Sequence, residues 1–274
     1  MDDSTKKLSG NCDSSAVLMT FLEMKAKNHN YFKYYSKEEH IQSILRDNAV
    51  YLSDGSNWND KFDRGRFNSP GSTVKKYGLC FSFMKSENVA SWMLYGGRGK
   101  EGAMIDFSRK SIGILLSSSA ADLGHFDSKR FIVDYTLSAA QFKVKLVDVL
   151  YYARQDDGNF TVKRADEVVK GLDSSIANQM VKTYGAVVKS YPWNYECECR
   201  LIVEVDKKAV GGIDLDGKMI RLSFNSLEIK NELKDRVYHA PNWAGTVVKY
   251  RRSSLSGEID WDLCKGCSYY SRTK

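Results

Sequence analysis

Two glutamates and an arginine alternate with small or apolar residues in the segment Tyr195–Val205. Alternate side chains of an extended strand point to the same face, so the pattern predicts a strand with Glu196, Glu198 and Arg200 side by side. Paired carboxylates can stabilise a developing positive charge or take a proton from a nucleophile. The alternative is a solvated strand face on which glutamate and arginine compensate one another, as on many antiparallel sheets.

Three upstream segments combine aromatic and polar side chains. They are the segment Phe32–Tyr35, the polar loop around Asn59 and Asp60, and a strand with Ser82 followed by a helix with Trp92 and Tyr95. A single buried ring normally packs in the core, but several rings from different strands are typical of a pocket for a planar ligand. We therefore expect one site, built by several strands around the glutamate pair.

The hydrophobic pattern predicts the elements that position these residues. We expect strands at 31–35, 49–53, 78–83 and 103–107, further strands within 130–153, a helix over 163–189 and the strand through residue 200. Ser36 and Glu39 form a predicted capping box for a helix that ends at Asn48. Ser86 is the predicted cap of the helix that carries Trp92. This mixture of strands and helices predicts an α+β fold.

Composition and charge are those of an ordered globular protein. The chain has 274 residues, of which 42% are hydrophobic and 27% charged. We expect a polar leader with a short helix over residues 1–30 and a single domain over 31–274. No run approaches the roughly 20 apolar residues of a membrane helix and no signal core is visible, which predicts a cytoplasmic protein without a membrane partner. The net charge of +7 favours acidic partners such as nucleic acid or a dinucleotide.

The six cysteines and four histidines form no complete metal-ligand set. Cys264 and Cys267 have metal or redox spacing, but no second pair and no nearby histidine completes a zinc site. We therefore expect reduced thiols and no metal.

A glycine-rich segment, Gly96–Gly102, carries two basic residues, Arg98 and Lys100. Such a backbone can cradle a pyrophosphate. The alternative, a flexible loop between a helix and a strand, is favoured because the spacing does not match a P-loop.

Several motifs occur in a fixed order between residues 31 and 205. They read Phe32-Lys33-Tyr34, Ile44-Leu45, Asn59-Asp60-Lys61-Phe62-Asp63, Cys80-Phe81-Ser82, Trp92-Met93-Leu94-Tyr95 with Gly102, and Trp193-Asn194-Tyr195-Glu196-Cys197-Glu198-Cys199-Arg200. In this order they resemble a widespread bacterial domain of unknown function, whose members often have Arg in place of Tyr35 and Pro in place of Lys61. The order of parts also resembles the ADP-ribosyltransferase superfamily, in which a Glu-x-Glu strand follows a polar or aromatic first strand and a Ser- or Tyr-containing middle strand.

The second resemblance implies a fold and an activity. The fold would be an ADP-ribosyltransferase-like split antiparallel or mixed β-sheet core with peripheral helices. The activity would be transfer of ADP-ribose from NAD to a macromolecule, with RNA favoured over DNA or protein. The positive charge favours a nucleic acid, RNA or DNA, over an abundant basic protein. Enzymes of this kind often serve as toxins in toxin–antitoxin or antiviral defence modules, which implies a neutralising antitoxin protein. Two alternatives remain open: an NAD glycohydrolase, and a non-catalytic nucleotide or nucleic-acid binding module.

The same resemblance implies roles for individual residues. Glu198 would stabilise the oxocarbenium-like ribose, and Glu196 would orient or deprotonate the incoming nucleophile. The residues expected to contact NAD are Lys33, Tyr34, Asn59, Asp60, Ser82, Trp92 and Tyr95. Among these, Tyr34, Ser82 and Tyr95 would hold the nicotinamide–ribose half, and Asn59 or Asp60 would bind ribose hydroxyls.

Overall fold

The computed structural model describes residues 15–154, 156, 160–164, 167–168, 184–243 and 250–257. The helices are α1 (Ser15–Lys27), α2 (Glu38–Asp47), α3 (Lys61–Phe67), α4 (Val89–Leu94), α5 (Arg109–Leu116) and α6 (Leu227–Lys234). The strands are β1 (Phe32–Lys37), β2 (Ala49–Ser53), β3 (Val74–Ser82), β4 (Gly102–Phe107), β5 (Ala120–Asp127), β6 (Arg130–Ser138), β7 (Phe142–Asp148), β8 (Leu150–Arg154), β9 (Phe160–Arg164), β10 (Glu167–Val168), β11 (Val188–Ser190), β12 (Glu198–Asp206), β13 (Met219–Ser223) and β14 (Val237–His239). The predicted α+β fold is confirmed.

A large antiparallel sheet contains ten of these strands. Its path runs β14-β4-β1-β3-β2-β13-β5-β6, and β12 pairs with both β3 and β7. β12 lies along the whole of β3, from Glu198 opposite Ser82 to Asp206 opposite Val74. Because a strand has two edges, β3 has one edge left for both β1 and β2.

The large sheet is split on that remaining edge of β3. β1 meets β3 only where Lys33 lies opposite Ser82, and β2 meets it only where Ser53 lies opposite Gly78. Between these two points the stretch 79–81 of β3 has no ladder partner from β1 or β2. α2 connects the two diverging strands and lines the opening between them.

A small second sheet packs against the other side of the β7–β12 pair. Its order is β10-β9-β8-β11, and β8 runs parallel to β11. Leu18 and Leu22 of α1 pack in the same apolar cluster as Val147 of β7 and Val188 of β11. The short helix predicted ahead of the domain therefore shares a core with it. Within the described ranges, no helix has the length and apolar character of a membrane span.

Two predicted helix starts were wrong. Lys37 precedes α2 without a side-chain cap, and the Ser36 hydroxyl lies 2.9 Å from Nδ1 of His40 instead. α4 is capped by Asn88, whose side chain accepts from the Ser91 amide, so Ser86 does not cap it. Ser36 does not cap α2 because it lies inside β1, one residue before the cap position.

The helix predicted over 163–189 was wrong at both ends. Lys163 lies in β9, and Lys189 lies in β11, where it is opposite Tyr151 of β8. Burial of the β-branched Val188 favours extended pairing there over the helical spacing. Most of the middle of the predicted helix, including residues 169–183, lies outside the described residues.

Gly78 is the one residue of β3 that pairs with β2 in the sheet, and a side chain there would meet two aromatic rings. A Cβ would lie 2.7 Å from Cζ of Phe67 and 3.1 Å from the Trp58 ring. We expect Gly78→Ala to lower the free energy of unfolding by about 1–3 kcal/mol through overpacking. Urea denaturation measures this change.

Gly113→Ala is the matched control, because Gly113 lies in α5 with no atom within 4 Å of an added Cβ. It should raise the stability by about 0.5–1 kcal/mol. Equal effects of the two substitutions would contradict a tight contact at Gly78.

Candidate functional site

A cavity of about 1020 Å³ occupies the split in the large sheet. Its walls come from β1, α2, the end of β2, the loop before α3, the middle of β3 and the start of β12. The predicted site residues that line it are Lys33, Tyr34, Asn59, Asp60, Ser82, Tyr95, Glu196 and Glu198. The split therefore brings residues that are distant in sequence to one concave surface.

Arg200 is the centre of a buried ionic cluster at one wall of this cavity. Its Nε donates to Oε1 of Glu198 at 2.6 Å. Its two terminal nitrogens donate to the two carboxylate oxygens of Asp63 at 2.8 and 2.5 Å, which is a bidentate pair. Arg200 is 0% exposed and Glu198 is 2% exposed, so the solvated strand face considered above is wrong.

Lys189 joins the two glutamates. Its ammonium lies 2.5 Å from Oε2 of Glu196 and 3.1 Å from Oε2 of Glu198. The ammonium also lies 4.9 Å from the centre of the Trp193 ring. The cluster thus contains three carboxylates and two cations, which leaves one net negative charge when every group is ionised.

The pKa values of the two glutamates are shifted in opposite directions. Burial, together with the negative charge of Glu198, raises the pKa of Glu196 to about 7. Burial opposes ionisation of Glu198 as well, but Arg200 and Lys189 outweigh it and hold the pKa of Glu198 well below its usual range. Two carboxylates with separated pKa values are able to take different roles in one reaction.

Glu196 reaches the cluster from a turn rather than from the strand. Residues Tyr191–Glu196 form a 3₁₀ helix with Pro192 in its first turn, and Cys197 follows in the left-handed conformation with φ 42°. β12 begins only at Glu198, whose main-chain N–H donates to the Tyr151 hydroxyl at 2.9 Å. The predicted start of this strand at residue 195 was wrong. The grouping of Glu196, Glu198 and Arg200 is nevertheless observed.

Tyr95 and Ser82 lie beside the glutamate pair. The Tyr95 hydroxyl donates to Oε1 of Glu196 at 2.6 Å. Ser82 lies opposite Glu198 in the sheet, and its buried hydroxyl has no hydrogen-bond partner among the described residues. A buried hydroxyl without a partner is costly, so Ser82 is suited to bind a ligand.

Lys33 and Trp92 contribute mainly to the architecture. The Lys33 ammonium lies 2.5 Å from the main-chain oxygens of both Met84 and Lys85, so it holds the turn ahead of α4. Trp92 is 0% exposed, donates to Glu87 at 2.9 Å and does not line the cavity.

Asp60, in the loop before α3, has its two carboxylate oxygens in different surroundings. Oδ1 of Asp60 caps α3 by accepting from the amides of Phe62 and Asp63. Oδ2 of Asp60 is buried without a partner, and the neighbouring Asn59 lines the cavity. The capping accounts for one oxygen of Asp60 and leaves the other for a ligand.

Two members of the cluster were missed by the sequence reasoning. Asp63 belongs to the quoted Asn-Asp-x-Phe-Asp motif, so the motif contained the signal. Lys189 has no comparable signal, because it belongs to a short strand of the small sheet that was predicted as helix. Its proximity to the glutamates depends on the packing of the two sheets.

The glycine-rich segment stays outside the cavity. Arg98 and Lys100 of the glycine-rich segment do not line it. Among the described residues, Cys80, Cys197 and Cys199 take part in no disulfide. Across the residues that the structure covers, no group of three or more His, Cys, Asp or Glu side chains is placed to hold a metal. Cys264 and Cys267 lie outside the described residues.

Comparisons of the chain with protein-family models, with curated proteins and with solved structures give no match. The resemblance to ADP-ribosyltransferases therefore stays a prediction, and function must be argued from the site.

The cluster should also contribute strongly to stability. Asp63→Asn removes the bidentate partner of a fully buried guanidinium, and breaking a buried pair in this way costs about 3–5 kcal/mol. We expect that decrease in the free energy of unfolding, measured by chemical denaturation at pH 7.

The control is Glu228→Gln. Glu228 pairs with Lys110 at 2.5 Å, but the two side chains are 72% and 54% exposed. Its effect should stay within about 0.5 kcal/mol, because solvent screens surface pairs. A comparable loss in both variants would contradict the special role of Asp63.

Proposed function

We propose that the chain is an NAD-dependent ADP-ribosyltransferase in which the nicotinamide–ribose bond of NAD breaks beside Glu198. The observation that carries the proposal is the pair of buried carboxylates with separated pKa values at the wall of a large cavity. The predicted residues around this pair, with the exception of Trp92, line the same cavity.

The first step is cleavage of the bond between ribose C1′ and the nicotinamide nitrogen. The bonding electrons go to the ring nitrogen and neutralise its positive charge, while C1′ acquires oxocarbenium character. A fixed negative charge beside C1′ stabilises this state. Glu198 suits the role because Arg200 and Lys189 keep it ionised, and the cluster as a whole has one net negative charge once Glu196 is ionised as well.

The second step is attack on C1′ by a nucleophile of the acceptor. The new bond forms between C1′ and an acceptor oxygen or nitrogen, and the proton of that atom passes to Glu196. A general base works best when its pKa lies near the working pH, and the pKa of Glu196 is about 7.

The cavity offers complementary groups for the nicotinamide–ribose half. The Ser82 hydroxyl has no protein partner and lies opposite Glu198, so it is suited to a ribose hydroxyl or to the carboxamide. The stretch 79–81 of β3, which pairs with neither β1 nor β2, provides a main-chain edge for the same amide group. Tyr34 lines the cavity nearby and supplies an aromatic surface.

The acceptor is a macromolecule in this proposal. The net charge of +7 favours nucleic acid, and RNA is the first acceptor to test. By resemblance, the protein would act as a toxin in a toxin–antitoxin or antiviral defence module in the cytoplasm, with an antitoxin protein as its partner.

The test incubates the purified protein with NAD labelled in the adenylate phosphate and, separately, in nicotinamide. RNA, DNA and protein fractions are then separated. We expect release of nicotinamide and label in a nucleic-acid fraction, and we expect Glu198→Gln to abolish both. Glu228→Gln, far from the cavity on exposed surface, is the control and should retain both activities.

Each alternative has its own result. Release of nicotinamide without label in any fraction would identify an NAD glycohydrolase. Intact NAD with every acceptor, in protein that binds nucleotide or RNA, would replace the transferase proposal with a binding module.

The transfer rate should depend on pH through Glu196. A base must be ionised, so the rate should fall as the pH decreases through about 7, where Glu196 takes up its proton. Glu196→Gln should lower transfer and remove this dependence. A wild-type rate that stays flat between pH 5.5 and 8.5, a window of about 1.5 units on either side of neutral, would contradict the assignment of the base.

A further inference from the structure

We propose that Lys189, which the small sheet brings to the cavity, is a positioning residue that holds Glu196 in its ionised form. The inference deepens the proposed function and rests on it for its kinetic readout. Its spectroscopic and thermodynamic readouts do not depend on that function.

Glu196 depends on Lys189 for its ion pair more than Glu198 does. Glu198 has a second cation, because Arg200 donates to it at 2.6 Å. Among the described residues, Lys189 at 2.5 Å is the one cation within ion-pair distance of Glu196. Removing the ammonium therefore leaves Glu198 paired and leaves Glu196 buried without a cation.

The surroundings of Glu196 otherwise oppose its ionisation. The side chain is 5% exposed, and burial favours the neutral acid. The titratable and charged groups that face it or the adjoining cluster come from five strands and helices and from the segment after α4: Lys189 from β11, Tyr151 from β8, Cys80 from β3, Glu198 and Arg200 from β12, Asp63 from α3, and Tyr95. Of these, only the Tyr95 hydroxyl offers Glu196 a second hydrogen bond, and a neutral donor replaces a cation poorly.

The small sheet and the turn before β11 complete the site through three residues. Lys189 of β11 binds both glutamates, and Tyr151 of β8 accepts from the Glu198 amide. The main-chain oxygen of Ala186, just before β11, accepts from Arg200 at 2.7 Å. The large sheet alone would therefore hold the carboxylates without the cation that keeps Glu196 charged.

The first experiment compares wild type with Lys189→Met and Lys189→Arg. Infrared difference spectroscopy between pH 5 and 10, a range that brackets neutral pH widely, follows the carbonyl band of a protonated carboxylic acid. In wild type this band should disappear as the pH rises through about 7. In Lys189→Met it should persist to higher pH, and Lys189→Arg should behave like wild type. Adding Glu196→Gln should remove the band and so assign it.

The kinetic readout uses the same variants. Lys189→Met should slow transfer about tenfold at pH 7 for each unit by which the pKa of Glu196 rises, and the rate should recover at higher pH. Lys110→Met, which removes a lysine that is 54% exposed, should leave the pH profile unchanged. A purely structural role of Lys189 would lower the rate equally at every pH and would overturn the inference.

A double-mutant cycle on the free energy of unfolding tests the inference in case Lys189→Met folds poorly. Because an uncompensated Glu196 carboxylate would cause the damage, Glu196→Gln should restore stability in the Lys189→Met background. Failure of this rescue, or an infrared band that does not move, would overturn the inference. A moved band in a protein that leaves NAD intact would instead keep the inference and reject the transferase proposal.

Discussion

The buried guanidinium of Arg200 is the constraint on which the site depends. A charge without solvent must be neutralised by the protein, and Asp63 and Glu198 together supply four contacts with carboxylate oxygen to the guanidinium. Those contacts join α3 to the first residue of β12. Neutralisation of Arg200 thus fixes Glu198 at the cavity wall, and Lys189 then has a fixed carboxylate to bind.

The split in the large sheet provides the space that this cluster faces. β12 pairs with one edge of β3 along its whole length, so β1 and β2 share the other edge. Each of them pairs with β3 at one residue. The divergence opens a cavity rather than a continuous ladder. One feature of sheet topology therefore produces the concavity and brings the Ser82 and Tyr34 side chains toward Glu198.

Local pattern predicted much of the secondary structure. The α2 helix ends at Asn48 with φ 49°, as its position after the apolar run indicated. β2 and β4 match their predictions to within one residue. The errors occur in two places. Val188 pairs with Leu150 of β8, a long-range contact that overrides the local preference, and the 3₁₀ helix with Pro192 in its first turn keeps Glu196 off the strand.

The sequence by itself determined that two glutamates and an arginine lie close together, because a spacing of two residues keeps side chains near one another in a strand and in this turn. It also indicated the segments around the cavity. Only the tertiary structure decided that these charges are buried, that Asp63 and Lys189 complete the cluster, and that Lys33 and Trp92 support neighbouring elements. Burial and ion pairing depend on how the two sheets pack, and no short-range pattern encodes the distance between Lys189 and Glu196.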